Sequence, residues 1–396
     1  MPTPEAQLLF HQPIPDHAFS QDRQLLAVAR GSKVLLYSRA GNEYAKQDQE
    51  LDINKQTITS VDIAPNSGRI VTCSQDRNPY VWEQQPTGEW KASLVLAGLK
   101  RAGTQIRWSP DETRIAVGCG SGAIAICYFD EGNNTWLGKH VLTKQTYSTV
   151  LSLAWHPNSK ILASGYADSK TRVHSALARG FDKARVKKLE EIITEWGNYE
   201  VSTKESGGSP VYTKNNTVFA EFTNPSGGWV HAVSFSPSGE ALAYAAHDSS
   251  ITVVYAHKSL REEAGQTVAD FSYSRFTVST TLLPFTSLLW SREDQIIAAG
   301  HDCYPVIFQN SGEGWALTSK LNALQLAGTG GEEAEESAFN KFRQMDSMGT
   351  TSKDVLGTIH QNTICSLRPY EMGPHGDVVR FSSSGRDGRL VIFPVA

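Results

Sequence analysis

One pattern recurs seven times along this 396-residue chain, and it decides the architecture before any single residue does. Each copy opens with an alternating apolar segment that ends in Ser-Pro or a similar pair. A short turn follows, then a second apolar run rich in Ala, Val and Ile, a polar turn with Gly or Asp, and a third run. The clearest copies occupy residues 61–83, 106–129, 153–176, 233–256 and 288–308. An earlier copy covers 17–37, and a stretched last copy covers 366–371 and 378–395. Pro65, Pro110 and Pro157 stand 45 and 47 residues apart, close to the roughly 40–45 residues of a four-stranded propeller blade. Pro157 and Pro237 are 80 residues apart, so that blade carries an insertion.

Period-2 runs of β-branched and aromatic residues fit a half-buried pleat. Asn66-Ser67-Gly68 and Ser238-Gly239 supply turn chemistry between first and second strands. Asp76, Asp168, Asp248, Asp302 and Asp387 fall at one equivalent place, the turn between second and third strands. A carboxylate there can accept backbone N–H bonds and hold a tight turn. The first and third copies have Gly31 and Ser121 nearby instead. The reading is an all-β, seven-bladed propeller in one domain, with two helical insertions. It resembles the WD-repeat family, with Val81-Trp82 nearest to its signature dipeptide. That resemblance implies closure by an N-terminal strand, expected within residues 6–12 beside Arg389–Phe393. A closed ring leaves only short, protected strand edges.

The insertions cover about 177–222 and 326–358. In the first, Val186, Leu189, Ile192, Ile193 and Trp196 recur at spacings of three and four, which predicts an amphipathic helix over 181–197 ended by Gly197. Its cluster of Lys183, Arg185, Lys187 and Lys188 reads as a solvated face, because no aromatic platform is interleaved for nucleic acid. In the second, glycine-rich 328–331 and the stretch 348–352 act as tethers around residues 332–346. Acidic residues lead and Lys341 and Arg343 follow, the order a helix dipole favours. Ala338, Phe339, Phe342 and Met345 form one apolar stripe. So short a helix is marginal in water, so its stripe must be buried on its own blades or in a partner's groove.

Composition excludes several classes. The formal net charge is −4, with 37 basic and 41 acidic residues, which gives no whole-chain field for nucleic acid or anionic lipid. No run of about 18 apolar residues exists, so no membrane insertion is expected. The N-terminus lacks the basic and apolar regions of a signal peptide. Five cysteines, an odd number without a Cys-x-x-Cys pair, read as buried reduced thiols of a cytosolic protein. No spacing suits zinc, and no phosphate loop or nucleophile elbow is present. The neighbours His247-Asp248 and His301-Asp302 are explained by the turn position of their aspartates. No catalytic residue, metal or cofactor is therefore expected.

Several stretches carry a closer likeness: residues 75–82, 164–168, 228–233 with 246–249, 299–306, and 339–346. On these the chain resembles the WD-repeat propeller subunits of the actin-related protein 2/3 complex. The resemblance implies a scaffold in a cytosolic assembly of two actin-related proteins and five other subunits, which nucleates a daughter actin filament from the side of another. It implies contacts with those subunits, with the actin filament and with nucleation-promoting factors, and a place in the actin cytoskeleton at cortical patches. It makes Phe339, Phe342 and Met345 apolar anchors, with Lys341 and Arg343 facing acidic actin surface. It assigns no role to 181–197. The rival reading is a WD-repeat adaptor of a ubiquitin-ligase or chromatin complex, which would have no reason to carry the second insertion.

Overall fold

The computed structural model describes residues 3–141, 148–177, 194–197, 201–202, 211–212, 218–263, 266–321 and 357–395. These form seven four-stranded antiparallel blades. Blade 1 runs from His17–Phe19 to Glu43–Leu51, blade 2 from Ile58–Ile63 to Trp90–Leu96, and blade 3 from Gly103–Trp108 to Thr135–Val141. Blade 4 joins Val150–Trp155, Ile161–Tyr166 and Lys170–Ser175 to Val218–Thr223. Blade 5 runs from Val230–Phe235 to Gln266–Ser279 and blade 6 from Phe285–Arg292 to Trp315–Lys320. Blade 7 has Ile364–Met372, Val378–Gly385 and Arg389–Pro394, with Glu5–Leu8 as its outermost strand. The first strand of every blade lies against the first strands of its two neighbours, and that of blade 7 against that of blade 1, so the ring closes.

Alternation along the strands explains how the ring is filled. The core is divided into seven apolar clusters among the described residues, one between each pair of adjacent blades. In the second strand of blade 3, Ile115 and Val117 pack toward blade 2 while Ala116 packs toward blade 4. In blade 5, Ala243 and Ala245 face blade 6 while Leu242 and Tyr244 face blade 4. Both faces of these strands are buried, so they read as continuous apolar runs instead of half-polar ones.

Two departures from strict repetition matter. The outermost strands of blades 2 and 3 hydrogen-bond in parallel, Trp136 opposite Val95 and Leu137 opposite Leu96, merging the blades into one eight-stranded sheet. Gly138 permits this approach, since a Cβ there would press on the Ala97 backbone. In blade 5 the last hairpin pairs 14-residue strands, Ser250–Glu263 with Gln266–Ser279, and forms an arm longer than any other among the described residues.

The helical insertions are corrected where the structure describes them: no helix occurs among the described residues. Thr194–Gly197, expected as the end of a helix, is a turn in which the Gly197 N–H donates to Thr194 Oγ1 at 3.0 Å. Trp196 is drawn inward instead of lying on a helix face. It is fully buried, stacks on Tyr273 and donates from Nε1 to the Gly239 carbonyl at 2.9 Å. The rest of that expectation, 181–193, and the stripe of 332–346 lie outside the described residues. The stretch assigned to the first insertion also contains the fourth strand of blade 4 and a short pairing of Val201–Ser202 with Val211–Tyr212. The N-terminal strand covers Glu5–Leu8 and stops where Leu9 and Phe10 cross over Gly388.

Candidate functional site: the blade-turn face and the central channel

The turn between second and third strands bends through a residue with positive φ. Four of the five aspartates precede a non-glycine residue there: Arg77, Ser169, Ser249 and Cys303. Asp387 precedes Gly388, and blades 1 and 3 place Gly31 and Gly122 in this conformation. The aspartates offset the strain by accepting from the turn. Asp76 takes the Asn78 N–H at 2.9 Å, Asp168 that of Lys170 at 3.3 Å, Asp248 that of Ser250 at 3.2 Å and Asp387 that of Arg389 at 3.2 Å. The second oxygen reaches back to the chain entering the same blade. Asp76 accepts from Lys55 N at 2.8 Å and Asp387 from Gln361 N at 2.8 Å, while Asp248 accepts from the Asn224 and Ser226 side chains. Burial would raise these carboxyls, but the hydrogen bonds hold Asp76, Asp248 and Asp387 below the ordinary carboxylate value. Asp168 is tied instead by Arg172 at 2.8 Å.

Asp302 is the exception. Its Oδ2 accepts from Leu283 N at 2.7 Å, but Oδ1 has no hydrogen-bond partner and the side chain is buried. Burial pushes the carboxyl up to about 6, against a smaller opposing pull from the Leu283 N–H and Lys320.

The seven first strands enclose a central channel of about 480 Å³. Around it, a polar side chain of one blade accepts the backbone N–H of the next. Asp16 takes Val61 N at 3.2 Å, Asp62 takes Trp108 N at 2.9 Å, Gln105 takes Leu153 N, Ser152 takes Val233 N at 3.2 Å and Ser287 takes Leu367 N at 3.0 Å. The closing seam is the most highly charged part of this ring. Buried Asp16 pairs with Arg107 at 2.9 Å and Arg368 at 3.1 Å, and accepts from Ser60 at 2.7 Å and Ser366 at 2.9 Å. Burial opposes ionisation, yet the two guanidiniums hold the Asp16 carboxyl well below its usual range. His17 lies beside it between Ser382 and Ser384, at 2.8 and 2.9 Å, and burial with nearby Arg368 brings it down to about 3. Sequence reasoning missed Asp16, Arg107 and Arg368. Their one local signal is a charged residue interrupting or flanking a first-strand apolar run.

One arrangement imitates a nucleophilic triad. His360 Nδ1 lies 3.1 Å from both Asp387 oxygens, and Nε2 lies 2.7 Å from Ser383 Oγ. Ser383 is fully buried and its Oγ also donates to the Val391 carbonyl, so the hydroxyl is committed within the blade. Blade 2 repeats the arrangement without histidine: Asn54 joins Asp76, and Trp82 Nε1 donates to Thr72 at 3.2 Å. These are blade braces. Among the described residues no group of three or more metal-ligating side chains occurs, and no helix is long and apolar enough to cross a membrane.

The same face presents cations. Lys55 and Arg77 on blade 2 and Lys100 and Arg101 before blade 3 are exposed, and no carboxylate among the described residues forms an ion pair with them. The neighbouring aspartates are consumed by their turns. Phe339, Lys341, Phe342, Arg343 and Met345 lie outside the described residues; on either side of them, Leu321 and Ile359 pack on the seam between blades 6 and 7.

Comparison with known proteins follows the same lines. Residues 46–83 and 138–175 match the WD domain, G-beta repeat family. Actin-related protein 2/3 complex subunit 1 of Schizosaccharomyces pombe is 41% identical over 99% of this chain and 100% of its own length. Subunit 1A-B of the same complex in Xenopus laevis is 38% identical over 96% of this chain and 94% of its own. Subunit 1 of Saccharomyces cerevisiae is 34% identical over 98% and 96%. A likeness of this extent, on a closed seven-bladed ring whose triad-like groups are locked in braces, places the chain in the family of actin-related protein 2/3 complex subunit 1, a WD-repeat propeller subunit and not an enzyme.

Proposed function

We propose that this protein is the scaffold through which its actin-related protein 2/3 complex meets the actin filament and nucleation-promoting factors, supporting branched nucleation. It holds the two actin-related proteins and the other subunits by its blade surfaces, and works in the cytoplasmic actin cytoskeleton at cortical patches. The reading is supported chiefly by the residues that flank 322–356. Leu321 and Ile359 pack on the seam between blades 6 and 7, which gives the segment carrying Phe339, Phe342 and Met345 a fixed base. Lys341 and Arg343 suit an acidic actin surface, and the open cations of blades 2 and 3 suit an acidic segment of an activator.

The test is a complex carrying Phe339→Ala and Phe342→Ala. Branch formation and binding to filament sides fall at least tenfold, while the melting temperature of the propeller is unchanged. A fall of several degrees in melting temperature, with branching retained, would mean that the stripe packs on its own blades. Mass spectrometry of the complex isolated from its own cells returns two actin-related proteins and four further chains beside this one. Ligase or chromatin subunits in their place would remove the actin reading.

A further inference from the structure

A blade rim ends in a strand whose outer N–H and C=O groups can template another chain, and such edges are normally guarded. Among the described residues, six of the seven rims are. Those of blades 2 and 3 pair with each other. Blade 7 ends in the four residues Glu5–Leu8. In blades 1, 4 and 6 a register shift breaks the ladder to the outermost strand. Blade 1 adds four charged side chains, Glu43, Lys46, Asp48 and Glu50, and the Gln7 amide closes off the Tyr44 N–H and carbonyl at 2.9 and 2.8 Å. Blade 5 has no such guard. Its outermost strand, Gln266–Ser279, pairs through 14 residues without a shift and contains no proline and no lysine.

The ladder fixes which groups are open. Thr280 N–H donates to the Ser249 carbonyl at 3.2 Å, and on the other side of the hairpin Ala256 N–H donates to the Glu240 carbonyl at 3.2 Å. Even-numbered residues of the outermost strand therefore bond inward, and Ala269, Phe271, Tyr273, Arg275 and Thr277 turn their N–H and C=O groups outward. These outward groups have no hydrogen bond among the described residues. The side chains of the same five lie on one face of the sheet. Phe271 is half-buried, Tyr273 is anchored through its hydroxyl to the Trp196 carbonyl, and Arg275 is exposed with no ion pair among the described residues.

We infer that this edge is a strand-addition site: an extended segment of another subunit of the complex pairs antiparallel with residues 269–277 as a fifth strand of blade 5. Backbone pairing holds such a segment, and the flanking side chains select its sequence. An antiparallel strand, read from its N-terminus, meets Arg275 first, then Tyr273, then Phe271. The occupant therefore carries an acidic residue followed at two-residue intervals by two apolar ones. A second copy of this chain does not meet that demand. Antiparallel self-pairing sets outward-bonding residues against each other, and the odd positions from 267 to 279 include no carboxylate to face Arg275. The inference rests on the chain's place in the complex and not on the branching role proposed above.

Hydrogen exchange, resolved to single amides by electron-transfer fragmentation, tests this by comparing the assembled complex with the free full-length chain. The amides of Phe271, Tyr273, Arg275 and Thr277 exchange about tenfold slower in the complex, the change expected from a backbone hydrogen bond gained. Their even-numbered neighbours, already bonded within the hairpin, change less. Arg275→Pro removes one outward N–H and the cation but no inward bond, and abolishes the slowing. Arg275→Glu keeps the backbone and sets like charges opposite each other, which reduces the slowing about fivefold. A photoreactive benzoylphenylalanine in place of Phe276, which is 46% exposed beside the edge, cross-links to one other subunit at a segment of the stated pattern. Equal exchange in the complex and the free chain, or cross-links confined to this chain or a second copy of it, would overturn the site. If Arg275→Pro fails to assemble, Arg275→Glu and the unmodified complex still decide.

Discussion

Arg368 donates to both oxygens of the Asp16 carboxylate, at 3.1 and 3.3 Å, across the seam where the last blade meets the first. The same guanidinium reaches Asp62 at 3.3 Å and the His17 carbonyl at 2.9 Å, so one side chain ties blades 7, 1 and 2 together. Removing one partner of such a buried pair costs about 3–5 kcal/mol, because the other is left charged and unpaired. Arg368→Met and Asp16→Asn each lower the unfolding free energy by about that amount in denaturant titration. The double variant loses less than the sum of the two singles, as residues in one network do. Additive losses would show that the pair is not coupled.

The same seam makes the ring sensitive to acid. His17 is held down to about 3 from 6.5, so the unfolded chain binds a proton there that the folded chain refuses. Stability therefore falls as pH drops from about 6.5 toward 3. His174, buried against Ser164 at 2.7 Å and also brought to about 3, adds to the slope. Asp16, whose folded value lies below its unfolded 3.8, contributes stability above that value and loses it in stronger acid. Melting temperatures between pH 7.5 and 4 decline in the wild type, and His17→Gln declines less steeply. Parallel curves would show that His17 is not the source.

Gly388 has a φ of +76°, and the N-terminal chain crosses directly over it. Leu9 N–H donates to the Gly388 carbonyl at 3.0 Å, and a Cβ would collide with the Phe10 carbonyl. Gly388→Ala displaces the Glu5–Leu8 strand and costs about 1–3 kcal/mol. Deleting residues 1–12 gives at least the same loss in thermal unfolding, since Leu390 and Ile392 then face water. A deletion with unchanged melting temperature would show that the outer strand does not hold the ring.

Trp196 couples the blade 4 insertion to the arm of blade 5. It stacks on Tyr273, whose hydroxyl donates to the Trp196 carbonyl at 2.9 Å, and Glu195 pairs with Lys258 at 3.2 Å. Trp196→Ala empties a fully buried site and costs about 3–5 kcal/mol by chemical denaturation. Lys258→Ala, which removes a partly exposed pair, costs under about 1 kcal/mol. Equal losses would mean that the anchor works through charge and not through packing.

The ring and its turns were legible because they are written locally. Strand alternation, Ser-Pro ends and the aspartates at 76, 168, 248, 302 and 387 all lie within a few residues of what they specify. Two kinds of feature were not. The stitches around the channel join a side chain to a backbone N–H 45–81 residues away, as from Asp62 to Trp108 or Ser152 to Val233, and a backbone donor has no side-chain signature. Trp196 misled for the opposite reason. Its spacing from Ile192 and Ile193 fits a helical stripe, but the pocket formed by Phe222, Phe235 and Tyr273 overrides that local period. The difference between Asp302 and the other turn aspartates was equally hidden, since it depends on a missing donor.

The parallel seam between the rims of blades 2 and 3 makes the wheel mechanically uneven. Those two blades share an unbroken eight-stranded sheet, whereas blade 7 is held at its rim by the four residues Glu5–Leu8, which come from the opposite end of the chain. A load pulling on opposite sides of the ring finds its fracture line between blades 7 and 1. The Asp16–Arg368 rivet across that joint determines how much the wheel bears before it opens.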